Sequence, residues 1–390
     1  MPPQPPDPGD CPLSRLRGPE PAQPYTARKI TALTANPACS RRAVLDASGV
    51  DKAALATRLG HEARFGRSPL ALTRERAFKS LVKWGAYAEL IRLLRQQLSV
   101  PVEEAGVVDI HDAVGLEDEP DDPDDTAYRK KADATLPRRA NATRRLIEQV
   151  ASDSEQRLIL DHPVLCLEVA GQIAYLEPDA LTHRIGGKFY LTTIRSFAAI
   201  DGQANPTSVS QAAKQTAVYI LALRRTFEAA GLDPQQVADR FLLICPKDFS
   251  NRPYGRLVDV QQELDALEFQ LNRLRRAEDI AALLPPDATL DANRSLGELQ
   301  SSLADLDASY TPDCLSFCEM ARYCRDEAGG CASPARLGSA IRNALPGIDS
   351  TRIALAHLDG TGPASADETE AIELLRTADR LRRLRGGNIA

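Results

Sequence analysis

The segment CLSFCEMARYC sets Cys314, Cys318 and Cys324 within eleven residues. On a helix, residues four apart share a face, so Cys314 and Cys318 can address one centre, and the next turn or loop can bring Cys324 round. Thiolates held this close repel one another unless a metal neutralises them. Soft sulfur ligands select zinc or an iron–sulfur centre. A fourth ligand has two possible sources. Cys331 is nearby and would complete a local four-cysteine zinc knuckle. Cys39, in ANPACSRR, lies 275 residues before Cys314 and would close most of the chain into a loop clamped by an iron–sulfur cluster. Spacing leaves both open. Cys11 falls in a proline-rich arm. Cys166 and Cys245 fall in apolar runs and read as small core residues.

The elements that must position these groups follow from patterning. With 390 residues, 43% of them hydrophobic, the chain has room for one large domain with appendages or two modest ones. A formal net charge of −6 provides no global positive field, so any contact with nucleic acid must come from a local basic face. No run approaches the roughly 18 apolar residues of a membrane span, and the N-terminus lacks the apolar core of a signal peptide. The reading is a soluble cytoplasmic protein with no membrane partner.

Residues 1–25 are proline-rich and expected to be disordered. Apolar residues recur at helical spacing from Leu70 to Leu98. GLEDEPDDPDD, residues 115–125, reads as an acidic surface loop. Residues 142–152 look helical. PVLCLEVAG and QIAYLEPDAL read as strands, the second reaching Pro178-Asp179, with a turn at Gly186-Gly187 and a return strand KFYLTTIRSF. A helix spans Val209 to Ala230 and ends at Gly231, and FLLICP is a short buried strand. This order predicts an α/β core with a mixed sheet. Leu264, Leu267, Leu271 and Leu274 mark a one-stripe helix within residues 258–274, expected to pair with Leu296–Leu306 in a helical hairpin. Residues 332–390 read as loosely connected helices ending in the basic stretch RTADRLRRLRGG.

Taken in order, Cys39 with Arg41 and Arg42, the Pro178-Asp179 hairpin, a QTAVY helix carrying Gln215 and Tyr219, and the closing cysteine trio resemble the RecB-type PD-(D/E)XK nucleases of the iron–sulfur subgroup. AddB-type helicase–nucleases and CRISPR-associated exonucleases belong there. The resemblance covers roughly residues 35–330. It implies a restriction-endonuclease-like core with a mixed central sheet flanked by helices, a helical iron–sulfur region and a helical C-terminal extension. The domains are then a disordered arm at 1–25, a core at 26–330 with a helical insertion at about 255–306, and an extension at 331–390. It also implies a 4Fe–4S cluster on Cys39, Cys314, Cys318 and Cys324, with Cys331 a bystander. The C-x3-C spacing of Cys314 and Cys318 departs from the subgroup's usual C-x2-C and keeps zinc as the alternative cofactor.

Such nucleases hold Mg²⁺ with carboxylates and place a lysine near the attacking water. The resemblance carries only the aspartate of the Pro-Asp over cleanly, at Asp179. The strand acid maps to Thr193 and the lysine to Arg195. The helix acid that commonly follows a phenylalanine maps to Lys79, after Phe78. A cation in place of a carboxylate turns attraction for the ion into repulsion, on the order of 4 kcal/mol for one unit-charge pair at about 4 Å and an effective dielectric near 20. Mg²⁺ is therefore expected to bind poorly. The expectation is a pseudonuclease whose cationic pocket either binds phosphate or closes as a salt bridge. Gln215 and Tyr219 would line the path of single-stranded or end-containing DNA, and a helicase or other subunit would be a partner. An active exonuclease using Glu75, Glu168 or Glu177 is one alternative. A zinc-stabilised interaction module without a nucleic-acid role is the other.

Overall fold

A computed structural model describes residues 11–62, 69–98, 106–116, 126–152, 158–185, 187–248, 250–274, 276–311, 314–330, 339–362 and 368–386. Cys331, Gly186 and most of the acidic 115–125 stretch lie outside the described residues. The chain divides into two units, one of residues 24–34 and 67–274, the other of residues 1–23, 35–66 and 275–390. This division departs from the expected 26–330 core, because the cysteine-bearing segments gather in a unit of their own.

The 67–274 unit begins with α1 (Pro69–Leu98), β1 (Gly106–Asp109), α2 (Ile110–Val114) and α3 (Thr126–Ser152). Then come β2 (Leu158–Asp161), β3 (Leu165–Val169), β4 (Gln172–Leu176), β5 (Ala180–Ile185) and β6 (Lys188–Ile194). Two short strands, β7 (Ala199–Ile200) and β8 (Gln203–Ala204), lead to α4 (Pro206–Ala229), β9 (Arg240–Pro246), β10 (Pro253–Asp259) and α5 (Gln261–Leu271). The central sheet has six strands in the order β1-β2-β5-β6-β9-β10. β1/β2 and β6/β9 are parallel pairs, and the other neighbours are antiparallel. β3 and β4 pair only with each other.

Local chemistry accounts for these elements. Pro178 and Asp179 interrupt the apolar run, so it ends as β4 and resumes as β5. Gly187, at φ 82°, supplies the left-handed turn into β6. Asn205 caps α4 by accepting from the N–H groups of Thr207 and Ser208, with Pro206 preset for the first turn. Helix α1 lays Phe78, Val82, Leu90 and Leu94 on one sheet face, against Ile159, Ala180, Ile194 and Ile244. On the other face, Leu146, Ile147 and Val150 of α3 stand over Leu158, Leu181 and Phe189. Phe227 of α4 meets Phe189 edge-on, with centroids 4.9 Å apart. Inside α1, Gly85 and Tyr87 take φ of 66° and 64°, so the helix departs from its regular path there.

Two expectations are corrected in this unit. Residues 253–259 are not part of a helical insertion. They form β10, an edge strand of the central sheet, and the leucine-striped helix starts only at Gln261. That helix buries Leu264 and Leu267 and packs on α4, within its own unit, whereas Leu296–Leu306 belongs to the other. A leucine stripe specifies that a helix buries one face; it does not specify the partner.

In the other unit, Leu299 and Leu303 of the Leu296–Ala304 helix pack with Val44 and Leu45 of the Ser40–Ala47 helix and with all three clustered cysteines. The proline-rich arm also needs correction. Pro12–Arg17 is a helix whose Leu13 and Leu16 are buried, and Cys11 packs against the same core. Two leucines three apart suffice to dock one helical turn. C-terminally, Ile348 meets Ala371 and Ile372 in a small separate cluster.

Phe227 is fully buried, so Phe227→Ala should cost about 3–5 kcal/mol. Urea unfolding would register this as a lower midpoint with an unchanged slope.

Candidate functional site

Asp179 precedes β5 at the break in the apolar run. Its Oδ1 lies 2.7 Å from Lys79 Nζ of α1. Its Oδ2 accepts from the Ile194 N–H at 2.8 Å and from Arg195 Nη1 at 3.2 Å. Burial alone would raise the Asp179 pKa, but Lys79 and Arg195 outweigh it and hold the group at about 2. Burial likewise opposes the charge on Lys79, and Asp179 outweighs it, so that pKa is raised. Glu75, one turn earlier on α1, sits 3.4 Å from Lys79.

The remaining pocket residues face α4. Arg195 Nη2 donates to Gln215 Oε1 at 3.2 Å. Thr193 and Thr216 are 2.8 Å apart through their hydroxyls, and Thr216 donates its proton to the Ala212 carbonyl. Thr193 is therefore the donor of that pair, inside the protein rather than in the pocket. Burial pushes Tyr219 up to about 12. Lys79, Arg195 and Gln215 thus gather about Asp179 while the Thr193 hydroxyl turns to Thr216, and the carboxylate is already engaged by two protein cations. Gln215 is likewise part of this network. Of the alternative acids, Glu177 pairs with Arg139 at 2.5 Å, and Glu168 is exposed on β3, outside the central sheet.

The four cysteines converge within their own unit. Cys39, Cys314, Cys318 and Cys324 are 6–8% exposed. Asn36, three residues before Cys39, donates to the Ser309 carbonyl at 2.5 Å and lies 3.5 Å from Cys314 Sγ. Burial pushes Cys324 up to about 12; Arg41 opposes this, while Cys318 and Cys39 add to it. Burial also raises Cys318. Basic residues surround the group. Arg41 lies 3.4 Å from Cys324 Sγ and grips Glu327 at 2.6 and 3.0 Å. Arg42 pairs with Asp46 at 3.2 Å, and Lys52 pairs with Asp46 and with Glu319. Among the described residues, no three of these sulfurs lie mutually within 4.8 Å. A tetrahedral zinc thiolate site, with Zn–S near 2.3 Å, needs sulfurs about 3.8 Å apart.

One group escaped the reading of the sequence. Asp109, His111 and His162 bring ligand atoms within 4.8 Å of one another. His111 and His162 are 51 residues apart, and only the parallel pairing of β1 with β2 unites them. The two-residue spacing of Asp109 and His111 was the sole local signal.

Comparison with protein-family models and with curated proteins matched nothing. A solved chain titled "Crystal structure of SSO0001" is similar over 46% of this chain and 84% of that chain, at 14% identity and a TM-score of 0.19. At that identity and score the likeness carries no functional argument.

Removing the Asp179 charge would leave Arg195 bonded only to the neutral Gln215 and Ile194 oxygens, and Lys79 with Glu75 alone at 3.4 Å. Asp179→Asn should cost about 2–4 kcal/mol at neutral pH. Because the folded pKa is depressed, this stabilisation is complete above the ordinary value near 3.9 and is lost as pH falls through about 2. Urea titrations of both proteins from pH 7 to pH 2 should show the gap closing at the acid end.

Proposed function

We propose that this chain is a catalytically degenerate nuclease of the RecB-like iron–sulfur kind, acting as a DNA-binding or assembly subunit. The observation that carries the reading is the Asp179 carboxylate, spanned by Lys79 at 2.7 Å and Arg195 at 3.2 Å. Two fixed cations occupy the surroundings where a hydrolytic site would hold Mg²⁺, and Arg195 cannot serve as a base. The arrangement favours the closed salt bridge over a phosphate-binding pocket at this point.

The order of elements supports a restriction-endonuclease-like core. A helix (α1) precedes a strand (β2), the hairpin β5–β6 carries the pocket, and α4 and β9 follow, with β2, β5, β6 and β9 adjacent in the sheet. The cysteines support a 4Fe–4S cluster held by Cys39, Cys314, Cys318 and Cys324. All four are buried in one unit, and Arg41, Arg42 and Lys52 offset thiolate charge. The cluster would supply a rigid inorganic cross-link between the two ends of its unit. The residues around it stay buried and paired.

A route for single-stranded DNA is supported on α1. Trp84, the sole tryptophan, is 82% exposed and lines a cleft with Lys247, Arg252 and Arg92, the last already paired with Glu89 of the same cleft. An exposed indole beside guanidinium and ammonium groups suits base stacking with phosphate contacts.

Purified protein should leave single- and double-stranded DNA intact with Mg²⁺ or Mn²⁺; cleavage abolished by Asp179→Ala would overturn the reading. Trp84→Ala should weaken single-strand binding by about 1–3 kcal/mol in a fluorescence titration. Anaerobically purified protein should be brown and contain iron and sulfide. Cys39→Ser should bleach it and Cys331→Ser should not; a colourless zinc protein would favour the interaction module.

A further inference from the structure

We propose that Asp109, His111 and His162 form a binding site for a divalent transition-metal ion, separate from the Asp179 pocket and from the cysteines. This inference does not depend on the nuclease reading. β1 and β2 run parallel, with Asp109 directly opposite Asp161 at their last residues. Asp109 caps α2, its Oδ1 accepting from the His111 N–H at 2.8 Å. The cap brings the His111 ring close to the carboxylate. After β2 the chain turns sharply at His162, which takes φ 48°. Left-handed backbone at a residue other than glycine is strained, and such strain concentrates at functional sites. The turn stacks the His162 ring on that of His111, with centroids 4.3 Å apart and planes at 2°, so one ring must swing out of the stack for both to reach a single ion. His162 Nδ1 lies 3.2 and 3.3 Å from the two carboxylate oxygens of Asp109.

An independent observation points to a ligand. His111 is 8% exposed, and its Nε2 is buried without a hydrogen-bond partner among the described residues. An imidazole nitrogen so placed is destabilising unless something fills its lone pair or takes its proton.

Two imidazoles and one carboxylate form a borderline donor set. It suits zinc, manganese, iron(II) or cobalt rather than the all-oxygen cages of calcium or magnesium. Three protein ligands leave a coordination position open. Supporting residues hold the group from outside. Lys83 of α1 lies 3.0 Å from His162 Nε2 and 2.6 Å from Asp161, which accepts from the His162 N–H at 2.9 Å. Arg139 holds the His162 carbonyl at 3.2 Å. An ion on His162 Nδ1 requires that ring's proton to sit on Nε2, where it would face the Lys83 ammonium, so Lys83 must then turn from His162 and keep Asp161 alone as its acceptor. The β2–β5 ladder pairs Asp161 with Ala180, the residue after Asp179. The ion would therefore sit close to the Asp179 pocket on the same sheet, where the carboxylate is not filled by a lysine and an arginine together.

The test uses the full chain, stripped with a chelator and titrated with Co²⁺ alone under visible and near-ultraviolet absorption. Co²⁺ on thiolates gives an intense near-ultraviolet charge-transfer band; Co²⁺ on nitrogen and oxygen ligands gives visible bands without it. We expect one saturable equivalent of the second kind, weakened at least tenfold by Asp109→Asn and by His162→Gln. Asp109→Asn retains an acceptor for the His111 N–H, so loss of binding there is not loss of the cap; circular dichroism melting checks both variants. Co²⁺ that binds only with the thiolate band, or equal affinity in Asp109→Asn and the parent, would overturn the proposal.

Discussion

The 67–274 unit turns on one carboxylate. Asp179 takes charge-assisted bonds from α1 through Lys79, and from β6 through the Ile194 N–H and Arg195, which in turn reaches α4 through Gln215. A single side chain thus ties together elements on both faces of the sheet. It sits where burial would otherwise force a carboxyl neutral, and the two cations keep it ionised. The same balance disfavours a magnesium ion, because any ion must displace or repel two charges already fixed by folding.

The cysteine-bearing unit solves a related problem with the opposite sign. Three buried sulfurs, Cys314, Cys318 and Cys324, sit among apolar leucines, where burial disfavours a lone thiolate and raises the Cys324 pKa. Arg41, Arg42 and Lys52 bring positive charge to that environment, and Glu327, Asp46 and Glu319 keep those cations paired. The polar shell around the thiols is thus largely matched charge for charge. An anionic centre can be accommodated without leaving a buried cation alone.

Much of this was legible in the chain itself. The cysteine spacing, the Pro-Asp break, the Gly187 turn and the Leu264–Leu267 stripe are local signals, and each maps onto an element or a cluster of the structure. Other features left no local trace. β10 reads as the start of a helix because Val258 continues a leucine pattern, yet its backbone hydrogen bonds go to β9. The Pro12–Arg17 helix hides in a proline-rich arm because two leucines suffice for docking. The Asp109, His111 and His162 group is invisible in one dimension, since parallel pairing of β1 and β2 joins residues separated by a long helix.

The sequence by itself determined which residue types carry charge, sulfur and turns, and so the kinds of chemistry that are possible. It set Pro178-Asp179 as a break between two apolar runs, and it put three cysteines within one short segment. Only the tertiary structure decided which groups meet. Whether Lys79 reaches Asp179, whether Cys39 joins the distant trio, and whether two histidines stack across a strand end depend on long-range pairing. Short-range propensity does not encode that pairing, because the energy of a contact depends on burial and on partners brought from elsewhere in the chain.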